Sequence, residues 1–161
     1  MTTTPAGRRE QDREALTAQL GREPRGKWRV ARRCRCGMPQ VIETHPRLDD
    51  GTPFPTLWWL TCRKLSTEIG RLESSGLIAT LNERLTLDRK FHEALVESTG
   101  AYLESRDRLE PLQSGGHPGG GPDRIKCLHA HTAHHLITRD NPAGEEVLRT
   151  LAWVEPESPC V

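Results

Sequence analysis

Trp28-Arg-Val-Ala-Arg-Arg-Cys alternates weakly between apolar and polar positions, and Gln40-Val-Ile-Glu-Thr resumes the pattern after Gly37-Met-Pro. Alternation with period two sends successive side chains to opposite faces, so 28–44 reads as a β-hairpin. Leu57-Trp-Trp-Leu-Thr-Cys reads as a third, buried strand. From residue 64 the apolar spacing changes to threes and fours, the signature of one helical face. Leu65, Ile69 and Leu72 mark a first helix ended by Gly76; Leu77, Leu81 and Leu85 mark a second. Phe91, Leu95, Tyr102 and Leu109 mark a longer one over 88–109, with a kink expected at Gly100. Upstream, 8–21 is a short helix with Leu16 and Leu20 one turn apart and Gly21 at its end. The glycine- and proline-rich segment 111–122 is expected to be a flexible loop. Asp123 is the predicted N-cap of a helix over 124–138, and Asn141-Pro142 opens a last helix over 144–152.

These elements predict a single α+β domain, a small antiparallel sheet in the N-terminal half packed by several helices. Residues 1–21 form a basic arm with a short helix, 22–154 the domain, and 155–161 a tail. Hydrophobic residues are 34% of the chain, so the core is modest. No apolar run is long enough for a membrane span, and no apolar stretch follows the N-terminal charges as in a secretory signal, so a cytoplasmic protein is expected. Net charge is +1, which argues against a general nucleic-acid coat. The balance is uneven, however: residues 1–36 carry ten Lys/Arg against four Asp/Glu. This arm either lies on its own acidic body or reaches toward nucleic acid, anionic lipid or an acidic protein patch. With Trp28 as its lone aromatic, it lacks the stacking platforms of single-strand nucleic-acid binding.

The candidate chemistry is sulfur and imidazole. Five cysteines stand at 34, 36, 62, 127 and 160, an odd number at scattered spacings that does not read as a disulfide framework. Lys126-Cys-Leu-His-Ala-His-Thr-Ala-His-His holds four of the seven histidines. On a continuous helix, Cys127, His131 and His134 or His135 share a face, while His129 lies about 200° of rotation from Cys127. One helix offers two or three metal donors, and the rest would come from Cys34 or Cys36, Cys62 and Cys160. The expected site is therefore Cys34, Cys62 and Cys127 with His131, His134 or Cys160, holding zinc or an iron–sulfur cluster.

Three readings compete with it. The first is a metal-free interaction module using the arm and the tryptophan-bearing 45–59 region. The second is a thiol enzyme with Cys127 as nucleophile and a nearby histidine as base. In the plainest, the cysteines are buried and the histidines hydrogen-bond neighbouring carboxylates. Two further features bear on ligands. Gly119 to Lys126, with Arg124 beside it, resembles an anion cradle at a helix start, although Asp123 opposes an anion. Arg47, Asp49 and Asp50 sit in a proline-rich loop before Trp58 and Trp59, two tryptophans expected on opposite faces of a strand.

Longer motifs carry a resemblance. Arg-Cys34-Arg-Cys-Gly37-Met-Pro39-Gln-Val-Ile, Pro46-Arg47-Leu-Asp-Asp-Gly51-Thr-Pro53-Phe54-Pro55-Thr56, Leu60-Thr61-Cys62, Pro122-Asp123-Arg124-Ile-Lys126-Cys127-Leu-His129-Ala-His131 and Asn141-Pro142-Ala-Gly144 occur in the same order as in the bacterial domain-of-unknown-function 501 family. The resemblance covers about 22–161. It implies a small cytoplasmic bacterial protein, encoded near a septum-forming protein and enolase, hence a division or envelope partner. It also implies that Cys34, Cys62, Cys127, His129, His131 and His134 occupy motif positions, whereas Cys36 does not. The chain departs from the family pattern at Arg63, where proline is common, and at His117-Pro-Gly-Gly-Gly, which stretches the link before Pro122.

Overall fold

The computed structural model describes residues 4–159. Helix α1 (Pro5–Leu20) is followed by strands β1 (Trp28–Arg33), β2 (Pro39–Thr44) and β3 (Trp58–Leu60). Helices α2 (Arg63–Ser74), α3 (Leu77–Leu87), α4 (Arg89–Leu109), α5 (Leu128–Thr138) and α6 (Pro142–Thr150) complete the chain. The expected α+β architecture is present. The sheet is antiparallel with order β1-β2-β3, and Val30 pairs Ile42 while Ile42 pairs Trp59. The hairpin closes through Gly37 N–H to Cys34 C=O at 2.8 Å, with Gly37 at φ +87°, a conformation suited to glycine. As the central strand, β2 is covered on both faces, and five of its six residues are buried.

The basic arm packs against that strand. Thr4 caps α1, Leu16 is fully buried, and Gln19 donates to the Pro39 carbonyl at 2.8 Å. A two-pronged pair from Arg33 to Asp12 fastens the helix to the hairpin. Helix α4 runs unbroken through Gly100. Its Tyr102 hydroxyl accepts from Leu57 N–H at 2.7 Å, joining helix to sheet. No helix among the described residues is long and apolar enough to cross a membrane.

Two expectations change around residue 120. Segment 111–122 is tied down rather than loose: Leu112 and His117 are buried, and the buried Arg106 donates to the Gly115 carbonyl at 2.7 Å. Helix α5 begins at Leu128, not 124, and α6 begins at Pro142, directly after its cap Asn141. Asp123 does not cap α5; it faces His92 at 3.0 Å. The chain before α5 is instead held extended. Gly119 C=O accepts from both Lys126 N–H (2.7 Å) and Cys127 N–H (3.1 Å), and Asn82 on α3 exchanges two hydrogen bonds with the Ile125 backbone.

Candidate metal centre

That late start decides where the cysteine and histidines go. Cys127 is the residue before the helix, with extended dihedrals, so helical-face arithmetic does not apply to it. Its side chain makes no capping hydrogen bond. The capping role passes to Glu73 at the end of α2, whose Oε1 accepts from Leu128 N–H at 2.8 Å. A carboxylate suits the positive helix end. The same oxygen lies 3.3 Å from His129 Nδ1, and His129 Nε2 lies 3.0 Å from the Ser66 carbonyl. Donor atoms of Glu73, Cys127 and His129 all fall within 4.8 Å of one another, the single such group of three among the described residues.

Both ring nitrogens of His129 thus face oxygen acceptors, which calls for a proton on each. Hydrogen bonding to Cys127 raises this imidazole most; burial opposes it, and the Ser66 carbonyl and Glu73 add to the rise, to about 9. For Cys127, burial works to raise the thiol. The hydrogen bond from His129 and the Ala130 amide together outweigh burial, so the thiol titrates below its ordinary range. Without metal, a protonated His129 thus stands beside a thiol that gives up its proton more readily than an ordinary cysteine.

The group opens on a cleft of about 370 Å³ walled by Trp58, Trp59, Leu60, Pro118 and Ala130. Trp59 is fixed there by Phe54, stacked at 5.7 Å, and by the Arg22 guanidinium at 5.5 Å.

The other face of α5 is buried, and its chemistry differs. His131 and His134 have no exposed surface. Asn141 Oδ1 accepts from Gly144 N–H at 2.9 Å, so its amide nitrogen must donate; it lies 3.0 Å from Nδ1 of both His131 and His134. Both histidines therefore carry their proton on Nε2. That of His131 goes to Gly119 C=O at 3.0 Å; that of His134 faces Asp140 at 3.2 Å without the alignment of a hydrogen bond. Gly119 N–H donates to His117 Nδ1 at 3.0 Å, leaving Nε2–H of His117 to donate to His134 Nδ1 at 3.2 Å. With neutral rings every proton in this network has an acceptor except Nε2–H of His134, which faces Asp140 without a hydrogen bond. Burial lowers all three, His131 to about 4, and in His117 the neighbouring histidines add to the effect. His117 and His131 stack at 4.4 Å and 10°, so their in-plane lone pairs run side by side instead of converging on an ion.

The residues expected as ligands are therefore dispersed. Cys127 stands in the three-donor group. His131 and His134 lie in the buried network. Cys34 is buried at the hairpin turn, where burial pushes its thiol up. Cys62 is fully buried at the start of α2 and belongs to the apolar core. Cys160 lies outside the described residues. His129, expected on a different surface from Cys127, is its neighbour in the group. The anion cradle is also absent, because the Lys126 and Cys127 amides are spent on Gly119 C=O before the helix begins.

Sequence reading missed Glu73 and His117. Glu73 is one of many helical carboxylates and carries no local signal. His117 falls in the stretch that reads as an insertion relative to the family pattern; its burial becomes apparent only through contacts with α5.

No curated protein and no solved structure matches the chain. A family model described as a protein of unknown function (DUF501) matches residues 30–149, from β1 to α6, including Glu73, Cys127, His129 and the histidine network. The chain belongs to that family.

Proposed function

We propose that the protein binds a divalent metal ion, zinc by donor preference, through Glu73, Cys127 and His129. The observation that carries this reading is the convergence of one oxygen, one sulfur and one nitrogen donor within 4.8 Å. It is supported by the Ser66 carbonyl on His129 Nε2, the outer hydrogen bond that orients a ligating imidazole. A mixed set with one thiolate suits zinc and does not suit an iron–sulfur cluster, which calls for several thiolates. Three chain ligands are also the complement of zinc sites that keep a position for water or substrate. Bound there, the ion would supply Lewis acidity beside the cleft.

Elemental analysis of the full chain, purified without chelator, tests this. One zinc per chain is expected, lost in Cys127→Ser and His129→Ala and kept in Cys34→Ser. Metal-free protein that takes up no zinc on titration overturns the reading, as does zinc retained in both loss variants.

The protonation of His129 favours one second reading, in which Cys127 is a nucleophilic thiolate paired with an imidazolium. It predicts rapid alkylation of Cys127 near neutral pH with no effect of zinc. Under the metal reading, zinc blocks that labelling.

A further inference from the structure

The cleft beside the three-donor group has walls of a particular kind. Apart from Cys127 and His129, no side chain lining it carries a charge. Trp58, Leu60, Pro118 and Ala130 offer hydrocarbon, and Thr56 and Ser66 are the polar exceptions. The walls are also packed against their neighbours. Trp58 is nearly fully buried and packs edge-on against Tyr102 at 5.3 Å. Trp59 is held by Phe54 and Arg22. Pro118 sits between His117 and Gly119, both hydrogen-bonded into the network under α5. Such walls favour a ring over a flexible chain, because indole faces and edges attract aromatic groups beyond simple burial. A volume of about 370 Å³ is at the small end for ligand pockets, enough for one ring system and a head group.

We infer that the cleft takes a small, uncharged, aromatic-bodied molecule whose single oxygen-bearing head group reaches the ion held by Glu73, Cys127 and His129. This rests on the metal reading above. The head supplies oxygen donors to the open position, and the ring lies along Trp59 and Pro118. A ligand with a charged body is disfavoured, since no side chain in the walls beyond the donor group is placed to pair with it.

The test uses the zinc-loaded full chain and two hydroxamates with the same metal-seeking head, benzohydroxamate and acetohydroxamate, compared by titration calorimetry. The phenyl-bearing probe is expected to bind at least about tenfold tighter, the order expected for burying a ring against an apolar wall. Trp59→Ala should bring the ratio near one with zinc content and far-UV circular dichroism unchanged, and Trp59→Phe should keep most of it. Equal affinities for the two probes with zinc bound overturn the cleft inference alone. So does a preference that survives Trp59→Ala. Failure to bind zinc overturns the metal reading and this inference together.

Discussion

Helix α5 presents histidines in two settings two residues apart, on opposite sides of the helix, and they behave as opposite acids. His129, in the first turn, is half-buried, faces a carboxylate and a carbonyl, and titrates near 9. His131 is fully buried, accepts from Asn141 on one nitrogen, donates to Gly119 on the other, and titrates near 4. Residue type and helix are shared; the difference lies in the partners, Cys127 and two oxygen acceptors around His129, a donor and an acceptor around His131. Two acceptors require a cation, whereas a donor and an acceptor fix one neutral tautomer. A histidine-rich helix is therefore not a uniform reservoir of metal ligands. Its chemistry is assigned residue by residue by the elements packed on it.

The buried side should be the more fragile. Gly144→Ala would place a Cβ 2.3 Å from the His131 carbonyl oxygen, a backbone atom that cannot step aside. Overpacking of this kind costs about 3 kcal/mol at the upper end, to be read from urea unfolding. Asn141→Leu, which removes the α6 cap and the donor to two buried lone pairs, should cost about 2–3 kcal/mol. If either variant unfolds like the parent, the network is not what joins α5 to α6.

Acid should attack the same side. His131 falls from an ordinary 6.5 to about 4 on folding, and His117 and His134 also move down. Between those values the unfolded chain binds more protons, so stability is complete above about pH 6.5 and declines as pH drops toward 4. A flat melting profile across that window contradicts the neutral network.

The open side is best read by nitrogen NMR of metal-free protein at pH 7. His129 should show two protonated nitrogens, and His117, His131 and His134 should each show the Nε2–H tautomer. Glu73→Gln removes the anion facing His129 and should lower its pKa from about 9, with stability changed by about 1 kcal/mol or less. An unmoved His129 titration would show that Glu73 adds nothing to its rise. Of these perturbations, Glu73→Gln is the smallest in stability, and it separates the two settings most directly.

Much of this architecture is legible in the residues. Alternation around Gly37 specifies the hairpin, and Leu65–Ile69 and Leu81–Leu85 specify the faces of α2 and α3. The site is less legible because it depends on where one helix begins. Asp123 followed by a polar turn satisfies local rules for an N-cap, but Asn82, from α3, and Gly119 take the backbone groups of 125–127 and keep them extended. A shift of four residues moves Cys127 off the helix and turns it toward His129. The decisive partner, Glu73, is more than fifty positions upstream, beyond the reach of any local pattern.

Pro118 belongs to both halves of this account. It forms part of the cleft wall, yet its two chain neighbours are fastened beneath α5, one through His117 and the other through the Gly119 backbone. The shape of the opening is thus inherited from His117 and the Gly119 backbone, which lie outside its lining. Lesions in the interior would reach the cleft as a displaced Pro118 wall, before Glu73, Cys127 or His129 is itself altered.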